Sequence, residues 1–206
     1  MQNYLLLTLA ILFIATSCKK DSTQPVITLN GSPEQVVALN DTYMELGATA
    51  KDDKDGDVTD RIVISGSIDV NQTGEYRIYY DCDDNKGNKA ATATRFVNVV
   101  NEADYMLGTY LAEPSCVGTA TTSSYNTTIT ASDKLNNRIY IKRVLWSVED
   151  EPVFGDVSGG TMNIPLQTIG GNTVEGTATL SGSTFSLSVQ INDGVTYDCT
   201  ISHTKL

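Results

Sequence analysis

The sequence predicts an all-β protein of two modules in tandem, a β-sandwich of about seven strands followed by an antiparallel barrel of about eight. Three observations carry that expectation. Thr, Ser, Asn, Gly and Val are abundant, and no long stretch shows a helical period. Short strand-like segments follow one another with turn-rich stretches between them. A brief polar connection, 101–104, separates two such series and is too short for a loose linker.

In the first series, 25–100, the expected strands are Val26–Leu29, Gln35–Leu39, Ala48–Lys51, Ile62–Ser65, Ile68–Val70, Glu75–Cys82 and Ala90–Val100. Alternation places Tyr76, Ile78, Tyr80 and Cys82 on one face of the sixth. Tyr76, just after Gly74-Glu75, is placed to form a tyrosine corner, its hydroxyl pinning the chain back on itself.

The second series, 105–206, has its clearest signals near the end. Phe185, Leu187, Val189 and Ile191 alternate with polar residues, as do Val195, Tyr197, Cys199 and Ile201, and Asp193-Gly194 joins the two runs as a hairpin turn. Further strands are expected at Gly108–Glu113, Tyr125–Ala131, Arg138–Val144, Val153–Val157, Thr161–Leu166 and Thr173–Leu180.

The amino-terminal run Leu5 to Ile14 is apolar but shorter than the ~20 residues of a membrane-spanning helix. It leads through Ala15-Thr16-Ser17 to Cys18. This resembles a bacterial lipoprotein signal peptide with its lipobox, although no Lys or Arg precedes Cys18 and Ala15 stands where Leu is usual. The resemblance implies cleavage before Cys18, lipidation of its thiol and amine, and a membrane partner through that anchor. Residues 18–24 then read as a polar tether ending at Pro25. Charged residues just after the lipid cysteine are frequent in outer-membrane, surface-facing lipoproteins of glycan-degrading Gram-negative bacteria, which implies the same location here.

Residues 25–100 resemble a bacterial immunoglobulin-like domain of surface proteins. Tyr43-Met44-Glu45-Leu46-Gly47-Ala48, Asp55-Gly56-Asp57-Val58-Thr59, Gly74-Glu75-Tyr76-Arg77-Ile78 and Asp84-Asn85-Lys86-Gly87-Asn88 carry the likeness. Such domains serve as spacers or adhesive modules. No cysteine lies between 19 and 81, so an inter-sheet disulfide cannot form and Cys82 is expected as a buried free thiol. Residues 105–206 are similar to lipocalin-like or calycin-like domains of surface lipoproteins, through Gly108-Thr109-Tyr110 and Ile164-Pro165-Leu166-Gln167. If such a barrel closes, its first and last strands become neighbours. The pairing this implies is Cys116 with Cys199, which would fasten the closure.

Net charge is −11, all of it after residue 17, which disfavours nucleic acid as a partner. One histidine, His203, excludes multi-histidine metal sites and a His dyad, and no Gly-x-Ser-x-Gly segment precedes a helix. Loop aspartates on a sandwich lack the cleft and matched pair of a glycosidase.

The acidic run 51–60 and the later loop holding Asp81, Asp83, Asp84 and Asn85 would share one end of an immunoglobulin topology. Asp53, Asp55, Asp57, Asp83 and Asp84 either point outward around solvated Asp-Gly turns or share a Ca2+ ion, which takes six to eight oxygens. Trp146 is either a core or barrel-end plug or, with Phe154 and several acids downstream, an exposed ring that covers a sugar. The expected protein is a non-enzymatic surface lipoprotein binding polysaccharide on an immunoglobulin-like spacer. The alternative is a structural or adhesive component contacting other surface proteins.

Overall fold

The computed structural model describes residues 20–118, 123–144 and 151–206. Its first module is a sandwich of two sheets. One holds β1 (Val26–Leu29), β3 (Ala48–Asp52) and β4 (Gly56–Asp57), and the other holds β2 (Glu34–Ala38), β7 (Ala93–Val100), β6 (Gly74–Asp81) and β5 (Val63–Ser65), in those orders. The chain changes sheet between β1 and β2, and β2 pairs with β7 in parallel while the other pairs are antiparallel.

Two expectations change here. Ile68–Val70 is not a strand: the segment runs into a turn in which Asp69 accepts from Asn71 N (2.9 Å) and Val70 O accepts from Asn40 N (2.7 Å). The two-residue β4 was not foreseen, because an acidic Asp-Gly stretch carries no strand signal.

The alternation read in β6 holds, with Ile78, Tyr80 and Cys82 buried and Tyr76 half-buried. The Tyr76 hydroxyl donates to Gln72 O at 2.9 Å, the expected tyrosine corner. Cys82 is a buried free thiol among Ala50 and Val58.

Between the sheets lies a charged tie. Arg95 on β7 is fully buried, and its guanidinium donates to Glu45 Oε1 (3.0 Å), Asn30 O (2.9 Å), Gly47 O (3.0 Å) and Ser32 O. Glu45 in turn accepts from Tyr43 (2.5 Å), Tyr80 and Gly47 N (2.7 Å). Burial alone would raise the Glu45 pKa. Those bonds and the Arg95 charge outweigh it and hold the carboxyl below its ordinary value.

The second module is a closed antiparallel barrel, in the order β10 (Arg138–Ile141), β11 (Val153–Ser158), β12 (Thr161–Ile169), β13 (Asn172–Ser181), β14 (Thr184–Asn192), β15 (Thr196–Lys205), β8 (Gly108–Cys116), β9 (Tyr125–Ala131). Neighbours in sequence are neighbours in space, and β15 pairs with β8 to close the sheet. Cys199 stands opposite Cys116 in that pairing, and the two form a disulfide.

One face of each strand fills the interior. Ile129, Ile139, Ile141, Met162, Ile164, Leu187, Ile191 and Ile201 are all essentially inaccessible there. Gly176 lets β13 lie close against β14: a Cβ on it would stand 2.4 Å from Ser188 O.

Asn101, 1 % exposed, holds the junction. Its amide donates to Ser132 O, Leu135 O and Arg138 O (2.9, 3.0 and 3.1 Å), and its oxygen accepts from Ala103 N and Asn137 N (2.9 Å each). Further bonds join Asn40 to Lys134 O (3.1 Å) and to Asn136 N (2.9 Å), and Thr73 N to Asp133 O (3.1 Å).

Candidate functional site

Most of the barrel's inward positions are taken by packed apolar groups, so the polar surface open to solvent lies on the outer wall. The register of six successive strand pairs aligns one residue from each of seven strands. Arg138 stands opposite Asp156, Asp156 opposite Asn163, Asn163 opposite Thr177, Thr177 opposite Ser188, Ser188 opposite Thr200, and Thr200 opposite Ser115. All seven side chains carry hydrogen-bonding groups. Six steps of about 4.8 Å carry this belt roughly 30 Å around the wall.

From Asn163 to Ser115 the belt crosses an open concavity of about 660 Å³, which also takes in Glu175, Gln190 and Asp198. Gln190 donates to Asp198 Oδ1 at 2.9 Å, which orients that carboxylate.

The other end of the belt meets aromatic rings. Phe154 lies opposite Tyr140 on the neighbouring strand, and both are half-buried on the outer face. Arg138 makes a two-bond pair with Asp156 (2.7 and 2.9 Å), and its guanidinium carbon lies 4.0 Å from the Phe154 ring centre. Gln167 accepts from Phe154 N (3.0 Å) and donates to Phe154 O (2.7 Å), which fixes the backbone under the ring. Phe154 is therefore a residue of the outer wall. Trp146 and Cys18 lie outside the described residues.

The acidic loops do meet at one end of the sandwich, but with a different membership from the one expected. Oxygens of Asp21, Asp52, Asp55 and Asp84 all lie within 4.8 Å of one another. Asp53, Asp57 and Asp83 are not in the group. Asp57 accepts from Thr59 N (3.0 Å), and Asp83 pairs with Arg61 (3.2 Å), while Asp53 is exposed.

Turn geometry makes the selection. Asp52 Oδ1 accepts from Lys54 N and Asp55 N (2.7 and 3.0 Å), which turns its side chain into the fold. Those two bonds hold its carboxyl below the ordinary carboxylate value. Burial would raise Asp84, but bonds from Asn88, Lys86 and Gly87 lower it.

Asp21 and Arg95 were missed by sequence reading. Asp21 sits in what reads as a flexible tether, where Asp21-Ser22-Thr23 resembles an O-glycan acceptor and not a metal ligand. Arg95 could have been found: alternation sets it on the same face as the apolar Val97 and Val99.

His203 is also buried, 1 % exposed, and lies in the barrel. Its ring stacks on Phe185 with centroids 4.1 Å apart, Nδ1 faces Ile201 O at 3.2 Å, and Nε2 has no partner among the described residues. Burial drives its pKa down to about 4.

Residues 27–99 match the family described as bacterial surface protein, Ig-like domain. No curated protein matches the chain in sequence. Two solved structures are similar to it. A lipoprotein from Bacteroides thetaiotaomicron is 17% identical with a TM-score of 0.37, over 88% of this chain and 100% of that one. The structure of CBM51-2 in complex with GlcNAc and INT domains, from Clostridium perfringens ZmpB, is 12% identical with a TM-score of 0.32, over 88% of this chain and 43% of that one.

Proposed function

We propose, with an Ig-like domain of bacterial surface proteins at residues 27–99 as the premise, that this is a non-enzymatic cell-surface accessory protein whose barrel wall binds polysaccharide. In this reading a lipid on Cys18 anchors the chain to the outer membrane. The Ig-like domain spaces the barrel from the membrane, and a glycan lies across the strands. The belt from Arg138 to Ser115, running into the Tyr140–Phe154 pair, is the observation that carries the proposal.

A sugar chain offers many hydroxyls and a few apolar ring faces. The belt offers hydroxyls, amides and carboxylates in a row, and the two rings offer apolar surface at its end. The open shape suits a polymer, which passes through, better than a small ligand that must be enclosed.

Affinity electrophoresis of the purified protein through gels containing a panel of polysaccharides tests this. At least one polysaccharide should retard the wild type. Tyr140→Ala and Asn163→Ala should each weaken that retardation about tenfold or more, the loss of ~1.4 kcal/mol, with melting temperature unchanged. No retardation by any member, or retardation that both variants retain, defeats the reading.

One observation favours a second reading, contact with another surface protein. The edge strand β5 leaves Val63 and Ile64 65% and 50% exposed, and an apolar unpaired edge is a docking surface for a further strand.

A further inference from the structure

The four-aspartate group lies on the first module, and its residues come from three separate parts of the chain. Asp21 belongs to the segment that follows Cys18, Asp52 to the end of β3 and Asp55 to the turn after it, and Asp84 to the turn between β6 and β7.

Such crowding of like charge is costly unless something compensates it. The guanidinium at this end, Arg61, is directed elsewhere, to Asp83 O and Oδ1, Asp84 O and Asn85 Oδ1. Each aspartate is nevertheless held in place by other bonds. Asp21 Oδ1 accepts from Thr23 N (3.1 Å) and Thr23 Oγ1 (2.6 Å), and Asp55 Oδ2 from Asn85 N (2.8 Å). Asp84 Oδ1 accepts from Lys86 N and Asn88 N (2.8 Å each), and its Oδ2 from Asn88 Nδ2 (2.6 Å).

An independent observation points to a ligand. Asp52 is 7% exposed, and its Oδ2 is buried with no hydrogen-bond partner among the described residues. The Thr23 hydroxyl is close enough to favour the charged form of Asp52, but its one proton is directed to Asp21. A buried, ionised, unpartnered carboxylate oxygen is among the costliest groups a fold can carry.

A hard dication resolves both the crowding and the orphan. The four oxygens lie within 4.8 Å of one another, close enough for one ion to reach all of them. Four carboxylates suit Ca2+, which takes six to eight oxygens, better than Mg2+, which keeps several waters and takes one or two carboxylates. We propose that Asp21, Asp52, Asp55 and Asp84 bind one Ca2+ ion, which clamps the segment just after Cys18 onto the end of the sandwich. The segment read as a loose tether is then a calcium-dependent fastening between anchor and first domain. This site and the barrel wall share no residue, so each stands or falls alone.

The full-length chain, held in mild detergent and stripped with EGTA, is titrated calorimetrically with CaCl2 and separately with MgCl2. One Ca2+ per chain should bind with Kd of about 10⁻⁴ to 10⁻³ M or tighter, and Mg2+ at least tenfold more weakly. Trypsin cleavage after Lys20, followed by mass spectrometry, should slow at least tenfold when Ca2+ is present.

Asp21→Asn should lose both effects while keeping the wild-type melting temperature in EGTA, since Asp21 lies outside the sandwich strands. Asp53→Asn should keep both. Absence of saturable Ca2+ binding, equal binding of Mg2+, or loss of binding in Asp53→Asn as large as in Asp21→Asn overturns the proposal.

Discussion

Replacing His203 by Phe should stabilise the barrel in acid, by an amount the structure sets. The imidazole stacks on Phe185 inside the barrel with Nε2 unpartnered, and burial holds its pKa at about 4 against 6.5 in the unfolded chain. The folded state therefore resists protonation while the unfolded state accepts it. Between pH 6.5 and 4 the unfolded chain binds more protons, so stability falls as pH falls through that window and the loss is complete below 4.

At about 1.36 kcal/mol per unit, a shift of that size is worth roughly 3 kcal/mol in full. About 2 kcal/mol of it should be lost between pH 7 and pH 4.5. His203→Phe removes the titrating group, keeps an aromatic ring against Phe185 and leaves no orphan nitrogen. Its stability should exceed that of wild type by a margin that widens by about 2 kcal/mol over the same interval.

Urea unfolding at a series of pH values measures this. Trp146, the one tryptophan, lies in the barrel's stretch of sequence, so its fluorescence separates barrel unfolding from that of the sandwich. A wild-type-minus-variant difference that stays constant from pH 7 to 4.5 would refute the argument.

Two further outcomes follow from ties described above. Arg95→Met should destabilise the sandwich by about 3 to 5 kcal/mol, because it strips Glu45 of its charged partner and removes the donor that ties the Asn30, Ser32 and Gly47 carbonyls together; chemical denaturation followed by tyrosine circular dichroism reads it, and a loss under 1 kcal/mol contradicts it. Cys116→Ser with Cys199→Ser should lower barrel stability by about 4 to 5 kcal/mol in the chain-entropy account of a bridge spanning 83 residues; urea midpoints by Trp146 fluorescence decide it, and unchanged midpoints count against a role for the bridge in closure.

The barrel was the more legible half, for a physical reason. Its strands bury one face only, so Phe185, Leu187, Val189 and Ile191 alternate cleanly with Ser186, Ser188 and Gln190. All eight strands were readable, and so was the Cys116–Cys199 bridge once closure was assumed. In the sandwich, apolar content misled at Ile68–Val70, where the Asp69 turn outweighs two β-branched neighbours.

The polar belt was invisible beforehand. Its members are ordinary serines, threonines and amides, and only the inter-strand register aligns Asn163, Thr177, Ser188 and Thr200. The acidic end shows the same limit at finer scale. Sequence order brings two loops together, but which carboxylates converge depends on which oxygens cap local amides. Asp57 is taken up by Thr59 N and Asp83 by Arg61, whereas Asp52 caps two amides with Oδ1 and turns Oδ2 inward without a partner among the described residues.

Pairing the barrel's opening strand with Thr196–Lys205 has a consequence for the order of folding during synthesis. A polypeptide emerging amino end first can complete its sandwich once Val100 is out, and Cys82 is then already sealed inside. Cys116 follows, and β8 must wait for Thr196–Lys205 before its second edge is covered. During that interval the mistaken bridge, Cys82 to Cys116, is denied its first sulfur. The order of the modules along the chain thus keeps Cys82 away from Cys116 while Cys116 waits for Cys199.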